Sequence, residues 1–454
     1  MNMRMKEEKI GSLLWKFSLP AIIGMLVNAL YNIVDRIFVG RGVGAIAIAA
    51  TTVAFPIMIL MMAVAMLIGI GATALISIRL GEQKKDEAEK IAGNAITLLV
   101  IFSLLFTGVY FLFADSLLLM FGADQDVLPY ARDFTHIIML GSVFGAIGFG
   151  ANNFIRAEGN PTIAMLTQLA GTFVNIILNY VFIFKLGLGI KGSALASVIG
   201  QALSAALVIA YFYSGKSLLR IRIKYLLNLE FALVGRIMAI GAAPFAMQIS
   251  FSVQQTILNK TLISLGGELA LAAVGIMMSI GTIIIMPVIG ISQGAQPLIG
   301  YNYGAKEYAR VKETLRKGVI AATCYVLVGF AVIYKWTFQI ISAFSRNDTA
   351  LTALTSEALV IFFMLLPFVG FQIMCSNYFQ AVGKPVKSMV LSLSRQVLFY
   401  IPLLLILPRY FGLQGVWCTS PIADGCSVLL TAVVIFWEMR NLGKEKPSLP
   451  TVSK

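Results

Sequence analysis

The sequence predicts an all-α membrane protein: twelve transmembrane helices in two parallel-repeat six-helix bundles around a central cleft. Three observations carry this. Of 454 residues, 59% are apolar and only 12% are charged, far from the balance of a soluble domain. Twelve apolar stretches each approach the roughly 20 residues that a hydrocarbon core needs from a helix. Sliding the chain by 224 positions lays Pro20 on Pro244, Asp35 on Asn259, and the stretch 153–161 on 377–385. The second half therefore repeats the first.

The stretches fall near 13–39, 46–78, 91–113, 130–153, 163–184 and 192–213, then near 236–263, 271–301, 318–337, 355–379, 386–407 and 413–437. They divide the chain into an N-lobe (1–213), a basic linker (214–235) and a C-lobe (236–454). An even number of spans per copy makes both copies insert with the same orientation, related by an axis along the membrane normal. The cleft between them is the expected substrate site. The side holding both termini and the linker bases Lys216, Arg220, Arg222, Lys224 and Arg236 carries 26 of the 35 Lys and Arg. The positive-inside rule makes that side cytoplasmic in a multi-pass protein of the cell membrane. The first apolar stretch is too long for a signal-peptide core and reads as an uncleaved span.

A net charge of +14 punctuates the spans instead of covering a polar soluble face, so nucleic acid is not an expected partner. Cys324, Cys375, Cys418 and Cys426 lie in apolar stretches without metal or redox spacing, and packing accounts for them. Gly215-Lys216-Ser217 resembles the end of a phosphate loop, but Ala210 stands where its leading glycine belongs, so ATP is not expected. No Ser/His, paired-Asp or metal constellation points to an enzyme. His136 belongs to the external surface and Glu158 to a cytoplasmic turn.

Inside the spans, Asn28, Asn32 and Asp35 recur at i, i+4 and i+7 with Tyr31 beside them, which puts them on one helix face. Gln168, Thr172, Asn175 and Asn179 repeat the device on the fifth helix. Amides bond neighbouring helices at small cost, whereas a carboxylate within a span is expensive and marks function. Adjacent Arg36 offers Asp35 a plain ion pair. However, successive helical residues point about 100° apart, so Asp35 can face the amides while Arg36 snorkels to the interface. The expectation is a buried, exchangeable carboxylate that carries H+ or, with the amide oxygens, Na+. In the second copy, Ser252, Gln255, Thr256 and Asn259 replace Asn28, Tyr31, Asn32 and Asp35, which keeps the polar stripe and drops the charge. A second embedded acid, Asp424, has no adjacent base in the sequence; ion coupling, a cationic substrate and a bond to a neighbouring helix all fit it.

Several stretches together resemble the multidrug and toxic compound extrusion (MATE) transporters, and within them a MepA-like bacterial branch. They are Leu19-Pro20, Val34-Asp35, the run from Arg156 to Pro161, the run from Val174 to Asn179, and the run from Gln296 to Ala305. The resemblance implies two lobes, alternating access, and export of bulky, often cationic aromatic drugs or toxic compounds against an inward H+ or Na+ gradient, with no cofactor or metal. It assigns Asp35 to the N-lobe cation site with Asn153 and Asn175 as partner amides, and puts Asn179 where many relatives hold a second aspartate. The expected substrate cleft is lined by Asn28, Tyr31, Asn32, Gln255, Asn259, Gln293, Gln296 and Asp424. A flippase for lipid-linked saccharides is the alternative, and it requires a strongly basic cleft.

Overall fold

A computed structural model describes residues 8–345 and 349–444; the side chains of Asn32 and of 343–345 lie outside the described set. The described chain is almost entirely helical. Helices α1 (Ile10–Gly42), α2 (Ala45–Gly81) and α3 (Lys85–Met120) lead to a bent span built from α4 (Leu128–Leu140), α5 (Ser142–Gly150) and α6 (Asn152–Ala157). Next come α7 (Pro161–Tyr180), α8 (Gly189–Tyr213) and a short linker helix, α9 (Ile223–Leu227). The second half comprises α10 (Phe231–Gly304), α11 (Tyr308–Lys335), α12 (Thr337–Ser345), a bent pair α13 (Thr349–Phe362) and α14 (Leu366–Ala381), α15 (Pro385–Leu393) and α16 (Ile401–Asn441).

Helix α10 has 74 residues, about 110 Å at 1.5 Å per residue and more than three bilayer cores. It is two spans that turn at Gly267, whose φ of 61° an L side chain rarely adopts. Consistent with a reversal, Ile237 near its start and Tyr301 near its end both pack against residues 71–81 of α2. The run Pro385–Asn441 likewise turns at Gly412. With the two bent pairs, the eight long apolar helices resolve into twelve spans. The breaks at Gly141 and at 363–365 were not expected from the apolar runs.

Both described chain ends lie at one end of the bundle, here termed basal, where the Glu8 carbonyl accepts from Arg310 and Gly443 lies against Tyr308. There the lobes meet through main chain. A Cβ on Gly241 would collide with the Leu67 carbonyl oxygen, and one on Gly71 would collide with that of Ile237. Across the pseudo-axis, Ser18 Oγ donates to the Ile291 carbonyl at 3.4 Å, and a Cβ on Gly294 would fall 2.7 Å from Ser18. Leu67 and Ile291 are repeat mates, and so, within one residue, are Ser18 and Gly241. The seal is thus two near-copies of one contact. One hydrophobic core runs through it from both lobes, while a separate N-lobe core around Val39, Ala50, Tyr110 and Ile138 forms at the distal end. Leu30, Ile33 and Ile37 of α1 and Ile263 of α10 are exposed distally, whereas Phe17 and Ile237 are buried basally. The main-chain contacts between the lobes close the cleft at the basal end.

The repeated turn 158–161 and 382–385 has a clear local cause. Gly159 and Gly383 take positive φ (105° and 71°), and Pro161 and Pro385 each open the next helix, where a missing N–H costs nothing. Glu158 is buried at this turn. Its carboxylate accepts from Tyr211 Oη, Ser217 Oγ (2.7 Å), the amides of Leu218 (3.0 Å) and Leu219 (3.1 Å), and Asn160 Nδ2 (3.4 Å). Burial pushes its carboxyl above the ordinary range, and these donors pull it back. Glu89 accepts from the Arg220 amide and pairs with Arg222, while Asn94 bonds the carbonyls of Tyr225 and Asn228 and the amide of Glu230. The linker is therefore fastened to the N-lobe from 217 to 230. Glu158→Ala is expected to strip several of these bonds and cost about 3 kcal/mol, read as a lowered melting temperature in detergent. An unchanged melting temperature would mean that Glu89 and Asn94 hold the linker alone.

Candidate functional site

Three N-lobe helices converge on Asp35. It sits in the distal third of α1 and accepts at Oδ1 from Asn179 Nδ2 of α7 at 2.5 Å and from Ser193 Oγ of α8 at 3.1 Å. The chain continues from Asn179 Nδ2 to Asn175 Oδ1 (3.5 Å), from Asn175 Nδ2 to Ser197 Oγ (3.1 Å), and between Ser197 and Tyr31 hydroxyls (3.2 Å). Asn175, Asn179, Ser193 and Ser197 are buried. Buried polar atoms are normally paired, yet Asn179 Oδ1 has no partner. Spacing alone puts these groups together: Tyr31 and Asp35, Asn175 and Asn179, and Ser193 and Ser197 are each i, i+4 pairs one turn apart. The last pair escaped the sequence reading, although the same period would have found it.

The other predicted residues are dispersed. Asn153 donates to the Phe149 carbonyl of its own span and accepts from Arg156 Nη1, away from Asp35. Gln293 accepts from Arg156 Nη1 at 2.6 Å across the lobe boundary. Gln296 is buried on the same basal stretch, with Nε2 unpaired. These two glutamines belong to the closed end of the cleft. Asn28 is half-buried on α1, Gln255 is half-buried on α10 with Oε1 unpaired, and Asn259 is exposed toward the distal end. Asn32 has no described side chain.

Asp424 bonds a neighbouring helix, one of the three roles the sequence left open: Arg395 Nε donates to its Oδ1 at 2.5 Å, and Ser420 Oγ reaches Oδ2 at 3.5 Å. Arg395 lies in a π-helical turn, Ser394–Tyr400, inside the eleventh span. In the sequence it counted with the cytoplasmic bases.

Comparison with known proteins agrees with this architecture. A family model described as MatE matches residues 20–181 and again 244–406, with the second match starting 224 residues after the first. The multidrug export protein MepA of Staphylococcus haemolyticus is 27% identical over 444 residues, covering 98% of this chain and 97% of that protein. The solved structure of the MATE multidrug transporter DinF-BH superposes with a TM-score of 0.90 at 39% identity, over 97% of this chain and 98% of that one. An outward-facing multidrug resistance MATE family transporter of the MOP superfamily, 24% identical, shares the fold with a TM-score of 0.91 over 97% and 98% of the two chains.

Proposed function

The chain belongs to the MatE family, and from that membership we propose that it exports amphipathic, often cationic aromatic compounds across the cell membrane in exchange for protons, by alternating access. The relatives' names, a multidrug export protein and a multidrug transporter, support this substrate class. The basic linker and the distribution of Lys and Arg make the basal end cytoplasmic. On this reading the described state is closed to the cytoplasm, and Asp35 lies toward the external end. The N-lobe (1–213) carries the ion, the linker (214–235) joins it to the C-lobe (236–454), and neither ATP nor chemical catalysis is involved.

The observation that carries the ion assignment is the unpaired Asn179 Oδ1 beside Asp35. An ionised Asp35 accepts the Asn179 N–H. A protonated Asp35 becomes a donor, and half a turn of the Asn179 amide presents Oδ1 to the new O–H. The chamber therefore offers bonds to both protonation states. With Asn179 in place of a second acid, the N-lobe chamber exchanges one proton per cycle.

The flippase reading is weaker on a specific ground. Arg156 sits with Gln293 at the closed lobe boundary and Arg395 beside the opposite charge of Asp424, so these two do not form the unneutralised basic cluster that a pyrophosphate demands. Substrate-driven proton release from purified protein tests the coupling. Equal release in Na+ and K+ media is the expected result, and release that requires Na+ would reassign the ion.

A further inference from the structure

The Asp424–Arg395 pair lies midway along the C-lobe helices, and its surroundings are unlike those of a structural salt bridge. In the N-lobe the corresponding positions, 224 residues earlier, are Gly171 and Gly200. There the two helices touch backbone to backbone: a Cβ on Gly171 would stand 2.6 Å from the Gly200 carbonyl oxygen. The C-lobe replaces that contact with two charged side chains and a π-helical turn, a feature frequent at functional sites.

The pair is also incompletely satisfied. Arg395 spends Nε on Asp424, and its two Nη groups make no hydrogen bond among the described residues. The side chain of Asp424 is 4% exposed, whereas that of Arg395 is 29% exposed. Close by, Tyr400 stands within electrostatic reach of both charges and beside Gln254. On the same π-helical turn as Arg395, Gln396 Oε1 is buried without a partner. A buried acceptor left unpaired is unfavourable, and a polar ligand arriving there would relieve it.

We propose that this cluster is a C-lobe subsite for zwitterionic substrates, in which Arg395 grips a carboxylate and Asp424 receives a cationic amine. It rests on the export reading above and names a substrate class for it. A guanidinium fork matches a carboxylate bidentately, and the Asp424 carboxylate supplies the opposite charge for the cationic end. A permanent monocation meets repulsion from Arg395, and a monoanion meets it from Asp424. Only a ligand carrying both charges replaces each partner of the pair and keeps the buried charge balanced. The two lobes then differ in kind, with a single acid in the N-lobe and a neutral dipole in the C-lobe.

The test uses rhodamine B, a zwitterion near neutral pH, and its ethyl ester, a permanent cation that differs only in the masked carboxylate. Equilibrium binding to purified full-length protein is read by fluorescence polarisation, independently of transport. Wild type is expected to bind rhodamine B at least as tightly as the ester. Arg395→Gln is expected to weaken rhodamine B about tenfold relative to the ester. The double variant Arg395→Gln/Asp424→Asn, which leaves no lone buried charge, is expected to lose the same preference while keeping wild-type melting behaviour. An unchanged binding ratio in both variants, or no wild-type binding of rhodamine B, overturns the subsite. Binding with the expected ratios but no movement of either dye in proteoliposomes would retain the subsite and refute export.

Discussion

Asp35→Asn is expected to abolish proton-coupled export while leaving the protein folded and able to bind substrate. The substitution is nearly isosteric. The new amide oxygen still accepts from Asn179 and Ser193, the two donors that hold Asp35 at 2.5 and 3.1 Å, so the chamber keeps its shape. What disappears is the one group there that changes charge. For electroneutral exchange of a monocation for a proton, each unit of pH difference is worth about 1.36 kcal/mol and supports about a tenfold substrate gradient. Proteoliposomes with an imposed difference of about one pH unit should therefore accumulate ethidium about tenfold with wild type and not at all with the variant. A variant that still follows the pH gradient would remove Asp35 from the mechanism.

Gly241→Ala should produce the second large effect, this time on conformation. The new methyl would overlap the Leu67 carbonyl oxygen, well inside any real contact distance. The obstacle is main chain of the opposite lobe, so the closed end must open. Within its own helix alanine is the better residue by about 1 kcal/mol, so the C-lobe itself loses nothing. Overpacking of this kind costs on the order of 3 kcal/mol, about a hundredfold shift toward the state open to the cytoplasm. The measurement is labelling of a single cysteine placed at buried Ser18 by an impermeant maleimide from the cytoplasmic side. Labelling should rise at least about tenfold in rate. Gly235→Ala, with open space around it, serves as the control and should leave the rate unchanged. Equal rates in all three proteins would mean that the seal is softer than its geometry.

The sequence made the span count, the repeat and the acid-bearing chamber legible because each obeys a local period. Asp35 and Tyr31, and Asn175 and Asn179, face one another through one-turn spacing that any helix preserves. Arg395 was misplaced because its register depends on a π-helical turn, which rotates it toward Asp424 and which apolarity does not encode. Gln293 and Gln296 looked like cleft residues on the same evidence as Asn259. Only the packing of α10 against α1 and α2 separates the closed basal half from the distal one. Breaks such as Gly141 interrupt a run without lowering its hydropathy, so the bent spans read as straight.

The fastening of the linker to the N-lobe makes the two a single body. With residues 217–230 held by Glu158, Glu89 and Asn94, Lys216, Arg220, Arg222 and Lys224 travel with the lobe that contains Asp35. On the proposed orientation, an anionic inner leaflet attracts exposed bases such as Lys216 and Lys224 by about 1 kcal/mol each near the surface. The chain passes from that body straight into helix α10 at Phe231, so a change at the linker bases is felt first by the lobe that carries the acid.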